Sequence, residues 1–506
     1  MPPPSLTSRC RTDLRKPRLS DGHPGIRVPR LRNHRRRTLA AGWLWILVIG
    51  LAPAMAQNTG LPELGTSASR HLSTAEETRI GQAFYRQLVI SPGYVGDYPL
   101  YDYIQSLGDR ISTHSDLRGV RPVFSLYRDN AINAYAVPGG YITLNTGLLL
   151  TADNESELAA VVAHEIAHLT QRHLPRLIER TAAQKLPTLA AILASIVVGG
   201  EAGVAGVTAA AGASASSQLA YTREFEREAD AIGIRLLADS GFDPRAMPEF
   251  FAKLDRATIH SGREVPEFLR THPMSHARMA ASQDRAAAYP ERDYPDSLDY
   301  HLARARIRAL LTVRQEDPLL YLRDQIQSES ELEREAADYG MAVVLHERRE
   351  FANALDLIRP LSRRYPDHPW IQSLHAQIEL AMEEPEAAIA RYRNIFEKHP
   401  EELYISYYLA NAYLENDQPE LARRHIRKQL RRHPEDLVLY KVQTKIHVAL
   451  DQHAEADQSK AEYLVLMGNY GGAVSVLKRA LRNTDEEGYL GQSITARIKE
   501  LEAKIQ

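Results

Sequence analysis

The segment His164-Glu165-Ile166-Ala167-His168 constrains this 506-residue chain more than any other feature of its sequence. Histidines four residues apart point the same way from an α-helix, so His164 and His168 could bind one zinc ion. Glu165 lies between them, where a carboxylate could take a proton from a metal-bound water molecule. The pattern H-E-x-x-H therefore predicts a hydrolytic site with one Zn²⁺ per chain.

The alternative interpretation of this segment is an exposed helix with two solvated histidines. The residues that lead into it, 155–163, are rich in alanine and valine, and Asn154 is a suitable N-cap. A mostly apolar helix buries its polar side chains, which then need partners. A metal ion would satisfy all three polar residues of the motif, so the context favours the metal site. His173 is rotated off the ligand face, which favours a structural role.

A second acidic helix could supply the third protein ligand that a catalytic zinc site needs. It reads Arg-Glu-Phe-Glu-Arg-Glu-Ala-Asp over residues 223–230. Glu226 and Asp230 share one helix face, and Glu224 and Glu228 share another. A charge run of this kind is usually a solvated stripe. Spacing alone does not separate the two acidic pairs.

The pattern Arg-x-x-Glu-x-x-Ala-Asp after H-E-x-x-H resembles the gluzincin metalloproteases of the CAAX prenyl protease and HtpX type. The resemblance extends to residues 133–149, to Thr271-His272-Pro273 and to Arg278. It implies that Glu226 is the third zinc ligand and that Asp230 belongs to the catalytic centre by orienting a ligand histidine. It also implies that His272 can approach the metal as a fourth ligand and hold the enzyme latent.

The resemblance implies an α+β metalloprotease domain, mainly helical with a small sheet, and a mechanism of metal-assisted peptide hydrolysis. Residues 133–149 correspond to a pair of strands beside the cleft. We expect the strand Tyr141-Ile142-Thr143-Leu144 to bind extended substrate through backbone hydrogen bonds.

The N-terminal residues have the pattern of a secretory signal peptide. Arginines crowd residues 30–37, an apolar run of 14 residues spans 39–52, and Ala54-Met55-Ala56 offers a cleavage site. The run is short for a membrane span. We therefore expect residues 1–56 to be removed after Ala56 and the mature protein to be periplasmic.

Removal of residues 1–56 would change the charge and cysteine content of the chain. The remaining residues carry 51 Lys+Arg against 62 Asp+Glu, a net charge of −11. An acidic protein of this kind argues against nucleic acid as a partner. The only cysteine, Cys10, lies in the removed segment. Disulfides and thiolate ligands are thereby excluded from the mature chain.

The mature chain is long enough for two domains, which we place at 57–295 and 298–506. In the second, Tyr365-Pro366, His399-Pro400 and His433-Pro434 recur with a period of 34, the period of tetratricopeptide helix pairs. Ala354, Ala388 and Ala422 recur at the matching position twelve residues before each proline. This predicts an all-α tetratricopeptide-repeat solenoid, which would present a groove to partner proteins.

The segment 186–219 is apolar and almost uncharged. It could be a buried helix followed by a flexible loop. It could equally be a flap over the active site, or a patch for peripheral contact with the membrane or with an unfolded substrate.

With the signal peptide and the repeats included, nearly the whole mature chain resembles the family of periplasmic β-barrel assembly-enhancing proteases. This implies degradation of unfolded or misassembled outer-membrane proteins, help in their assembly, and contact with the outer-membrane assembly machinery through the repeats. The alternative is a non-catalytic chaperone or assembly factor that uses the repeats and has a structural zinc. A membrane-embedded prenyl-peptide protease is disfavoured, because glycines interrupt the only other long apolar stretch.

Overall fold

The computed structural model describes residues 73–117, 119–181, 222–261, 265–311, 317–482, 484–485 and 487–505. The predicted signal peptide and the apolar segment 186–219 lie outside the described residues. Among the helices in the described ranges, none combines the length and the apolar character that crossing a membrane requires.

The N-terminal half begins with two helices, α1 (Thr74–Val89) and α2 (Tyr98–Ser112). Ser73 caps α1 in a capping box with Glu76, and Asp97 caps α2. Short helix α3 (Thr146–Thr151) leads into α4 (Glu155–Thr170), and α5 (His173–Thr181) follows. After the undescribed segment come α6 (Arg223–Asp239), α7 (Ala246–Ser261), α8 (Glu267–Thr271) and α9 (His276–Ala287).

A three-stranded sheet of β1 (Val123–Tyr127), β2 (Ala134–Val137) and β3 (Tyr141–Asn145) lies between α2 and α3 in the chain. Its order is β1-β3-β2, with β3 parallel to β1 and antiparallel to β2. The β2–β3 turn contains Gly139 and Gly140 at φ of 89° and 94°, which favours glycine. A Cβ on Gly139 would also lie 2.6 Å from the carbonyl oxygen of Glu77 in α1. The turn is therefore fitted closely against α1.

The C-terminal half consists of consecutive helices. They are α10 (Leu298–Leu311), α11 (Pro318–Gln325), α12 (Glu331–Glu347), α13 (Phe351–Arg364), α14 (Pro369–Ala381), α15 (Pro385–Lys398), α16 (Leu403–Glu415), α17 (Pro419–Arg432), α18 (Leu437–Ala449), α19 (His453–Leu466), α20 (Tyr470–Arg482) and α21 (Tyr489–Ile505).

The period of 34 predicted from the prolines is visible in the backbone. The residue before each repeated proline caps a helix at nearly the same angles, with φ between −118° and −130° and ψ between 64° and 68°. The three repeated alanines are fully buried, as close helix crossing requires. A left-handed residue also recurs every 34 positions, at Arg349, Glu383, Asp417 and Asp451. The helical repeats are therefore regular in sequence and in conformation.

The two halves are closely joined. One hydrophobic cluster runs from Val95 to Ile446, and the described residues from 73 onward belong to a single compact unit. The Tyr300 hydroxyl of α10 donates to the carbonyl oxygen of Ala152 (2.9 Å), just before α4. The continuous core differs from the separate cores expected for two domains, and the boundary at 295–298 stays a prediction.

Candidate metal centre

Helix α4 places the H-E-x-x-H motif in the interior of the N-terminal half. The side chain of Asn154 accepts a hydrogen bond from the backbone N–H of Glu157 (2.9 Å), so the predicted N-cap is present. All residues from Glu155 to His168 are buried. The interpretation of an exposed helix with solvated histidines is therefore wrong.

Helix α6 packs along α4 and presents one acidic pair to the histidines. Glu226 lies with Oε2 3.5 Å from His164 Nε2 and with Oε1 3.4 Å from His168 Nε2. Asp230 Oδ1 lies 3.2 Å from the other ring nitrogen of His164, Nδ1. Gly233 lies at this helix contact, because a Cβ there would lie 3.4 Å from the backbone nitrogen of His164 in α4. The structure thus selects between the two pairs that spacing alone left open.

His272 enters the same cluster from the end of α8. Its ring stacks on Phe268 at 4.6 Å between centroids. Its Nδ1 lies 3.0 Å from Glu226 Oε1 and 3.3 Å from His164 Nε2, and its Nε2 lies 3.4 Å from Glu165 Oε1. The loop histidine singled out in the sequence therefore contacts the other residues of the motif directly.

Four side chains could hold one metal ion, and each offers a ligand atom within 4.8 Å of the others: His164, His168, Glu226 and His272. All four are at most 2% exposed. Three imidazoles and one carboxylate are a donor set that suits zinc and related divalent cations. Neither carboxylate oxygen of Glu165 has a hydrogen-bond partner within the described residues. The residues present therefore fit a divalent cation.

The ionisation of the cluster also favours a cation. Burial opposes the charged form of Glu226, yet the His272 charge and hydrogen bonds from the ligand histidines hold its pKa well below the usual value. Burial likewise opposes the charge on His164, but its contacts with Asp230 and Glu226 raise its pKa to about 9. Burial raises the pKa of Glu165. A carboxyl with a raised pKa accepts a proton more readily than an exposed carboxyl does.

Arg278 is the residue whose role sequence reasoning missed, although the family resemblance marked its position. Its guanidinium is 1% exposed and binds Asp230 through Nε and Nη2, at 2.7 and 2.8 Å. Its Nη1 also lies 2.6 Å from Glu226 Oε2. Arg278 is 48 residues from Asp230, so no local spacing relates the two. It holds the side chains of Glu226 and Asp230 in place.

The structure corrects the strand predicted to bind substrate, Tyr141-Ile142-Thr143-Leu144. These residues belong to β3, the central strand, whose two edges already pair with β1 and β2. Its backbone groups are therefore not available to a peptide. The prediction followed from the family resemblance and the strand pattern, and the strand pattern does not give the order of strands in a sheet.

Strand β2 is the edge strand next to α4. The N–H of Asn145 donates to Asn133, which sets the alternation of the antiparallel pair. Ala134 and Ala136 then direct their backbone N–H and C=O groups to the outer edge. The backbone of Ala136 offsets part of the rise that burial causes in the pKa of Glu165. No described strand pairs with this outer edge of β2, which faces the proposed catalytic carboxylate.

The site consists of buried histidines and a glutamate on two packed helices, beside a small sheet. Paired helices follow it in the chain. This arrangement defines a metallopeptidase joined to helical repeats. Comparison with known sequences agrees. Residues 101–286 match peptidase family M48, and residues 379–446 match a tetratricopeptide repeat.

Curated relatives identify the family more closely. The beta-barrel assembly-enhancing protease of Escherichia coli K12 is 35% identical over 364 residues, covering 71% of this chain and 74% of the relative. That of Yersinia pestis is 35% identical over 350 residues, covering 68% and 71%. A relative from Vibrio cholerae is 39% identical over 323 residues, and the chain spans 66% of its length. The chain belongs to the family of beta-barrel assembly-enhancing proteases.

These comparisons confirm the predicted family, the predicted fold class and the predicted enzyme class. The fold is a mainly helical α+β metalloprotease domain followed by tetratricopeptide-type repeats, and the protein is a metalloendopeptidase. A solved tetratricopeptide-repeat domain aligns with 70% of the chain at a TM-score of 0.14, which is too low to indicate a shared fold.

Proposed function

We propose that this protein is a periplasmic zinc metalloendopeptidase that degrades misassembled outer-membrane proteins and assists their assembly. The observation that carries the proposal is the buried cluster of His164, His168 and Glu226, beside which the Glu165 carboxylate accepts no hydrogen bond from the part of the chain that the structure describes. The names of the relatives support the link to β-barrel assembly. We assign the zinc to these three ligands, one ion per chain, and place the protease domain at 57–295 and the repeats at 298–506.

In the proposed mechanism the bound cation supplies Lewis-acid catalysis to a water molecule and to the scissile carbonyl. Glu165 takes a proton from the attacking water and returns it to the leaving amine, a role that suits a buried carboxyl with a raised pKa. Asp230 fixes the ring of His164 through Nδ1, and Arg278 fixes Asp230. The outer edge of β2 binds extended substrate through its backbone.

His272 would control access to the centre. Its ring occupies the side of the cluster where a water molecule or a substrate carbonyl must bind, at 3.4 Å from Glu165. We propose that His272 is a removable fourth ligand that keeps the enzyme latent. Opening of the site then requires movement of the residues that follow α8.

We propose that the helical repeats bind the outer-membrane assembly machinery or its client proteins, because paired-helix arrays present a concave surface to protein partners. We do not expect nucleic acid to bind, since the chain without its first 56 residues is acidic. The peripheral membrane contact predicted for 186–219 lies outside the described residues and stays a prediction.

The decisive experiment compares wild type with Glu165→Gln for loss of a misassembled outer-membrane protein in cells. Glu224→Gln is the matched control, because Glu224 lies exposed on the same helix as Glu226. We expect Glu165→Gln to retain zinc and to lose cleavage. Unchanged turnover in Glu165→Gln would favour the alternative, a non-catalytic chaperone with a structural zinc.

A further inference from the structure

His173 lies directly against one of the proposed ligands. Helix α4 ends at Thr170, Arg172 takes a left-handed conformation (φ 52°), and α5 begins at His173. This reversal brings His173 Nδ1 to 2.9 Å from His168 Nδ1, and the His173 side chain is fully buried. The histidine that spacing placed off the ligand face therefore contacts the outer side of a ligand.

The ring of His173 is fixed from two further sides. Its Nε2 lies 3.1 Å from Glu228 Oε2, and the same oxygen lies 3.2 Å from Arg176 Nη1. The ring stacks on Phe225 with 4.6 Å between centroids and an interplanar angle of 11°. Glu228, an acid that the charge pattern could assign to a solvated stripe, thus anchors a buried imidazole.

The positions of the protons follow from these contacts. His168 directs Nε2 to the cluster, 3.4 Å from Glu226 Oε1. A neutral imidazole that binds metal through Nε2 carries its proton on Nδ1. That proton must be donated to His173 Nδ1, which then accepts, so the proton of His173 is on Nε2 and is donated to Glu228. A protonated His173 would instead direct N–H groups at both neighbours.

We propose that His173 is a positioning residue that holds His168 in its metal-binding tautomer and orientation, with Glu228 as the acceptor that fixes His173. The proposal rests on metal binding at His168, which belongs to the proposed function. It gives the two ligand histidines of α4 different supports. The outer nitrogen of His164 contacts a carboxylate, Asp230, directly, whereas that of His168 contacts a carboxylate through a second imidazole.

The test is zinc affinity of the purified metal-free protein, measured by competition with a chromophoric chelator. His173→Asn keeps a hydrogen-bond acceptor near the position of Nδ1, whereas His173→Phe keeps the ring and its stacking but removes the acceptor. We expect His173→Phe to weaken zinc binding by roughly 10–100-fold, as loss of such a support commonly does. His173→Asn should stay close to wild type, and Glu228→Ala should weaken binding less than His173→Phe. Glu224→Gln is the matched control and should not change the affinity.

Melting temperatures of the metal-free variants separate positioning from simple damage to the fold. If His173→Phe fails to fold, the comparison of His173→Asn with Glu228→Ala decides the matter. Wild-type affinity in a folded His173→Phe, or equal losses in His173→Asn and His173→Phe, would overturn the proposal. So would wild-type affinity in Glu228→Ala. Retention of the tight site in His168→Ala would instead refute the metal centre itself, so the two failures are distinguishable.

Discussion

Replacing Arg278 with methionine should destabilise the metal-free protein strongly. The guanidinium makes three contacts of 2.6–2.8 Å with two carboxylates, Glu226 and Asp230, and all three side chains are at most 1% exposed. Removing one partner of such a buried ion pair leaves charges without compensation in the interior, which costs about 3–5 kcal/mol. Methionine has a similar length and fills the space, so the loss would report charge rather than a cavity.

The assay is urea denaturation followed by circular dichroism, with chelator and separately with zinc. We expect the difference between Arg278→Met and wild type to be smaller with zinc, because the cation compensates the charge of Glu226 from the other side. Arg278→Lys is the control, since lysine keeps the charge but cannot bind Asp230 with two parallel hydrogen bonds. It should lose less than methionine does. A free energy of unfolding within about 1 kcal/mol of wild type in chelator would refute the reasoning.

Three further predictions address the ligands and the junction between the halves. Glu226→Gln should weaken zinc binding strongly while Glu224→Gln leaves it unchanged, and stoichiometric zinc by metal analysis in the first variant would exclude Glu226 as a ligand. His272→Ala should raise cleavage of an unfolded casein-like substrate if the histidine is a latch, whereas a loss of roughly 100-fold would assign it to stabilisation of the oxyanion. Burial raises the pKa values of Asp102 and Glu402, and the contact with Asp102 raises that of Glu402 further, so the folded state binds more protons and loses stability as pH rises above their ordinary values. Asp102→Asn should therefore raise the melting temperature more at pH 8 than at pH 5, and an equal change at both would contradict this.

Local sequence predicted the parts of the site that lie within one helix. The cap at Asn154 and the spacing of His164 and His168 depend only on residues within one or two turns, and both appear as expected. The choice of Glu226 over Glu224 depended on how α6 packs against α4. Residue spacing within α6 does not show which face of that helix packs against α4. Only the family resemblance could therefore indicate Glu226 as the ligand.

The prediction that failed, and one contact that the spacing did not indicate, depend on longer-range arrangement. Residues 141–144 form a strand, as predicted. Their local sequence does not show that this strand, β3, lies between β1 and β2. His173 was expected to lie off the ligand face with a structural role, and what the spacing did not indicate is its contact with His168 Nδ1. The left-handed residue Arg172 interrupts the helix and returns the side chain to the site. Because Arg172 is not a glycine, the sequence did not indicate a left-handed residue at this position.

The contacts at the start of α4 connect the metal centre to the repeats. Glu155, the first residue of α4, accepts hydrogen bonds from the backbone N–H (3.0 Å) and the hydroxyl (2.8 Å) of Ser297, and its own N–H donates to Asp296 (2.7 Å). These residues lead directly into α10, the first helix of the C-terminal half. The helix that carries His164 and His168 is therefore anchored at its N-terminus by the segment that begins the repeats. A partner that displaced α10 would have to break these bonds, so binding to the repeats and the geometry of the metal centre share a structural element.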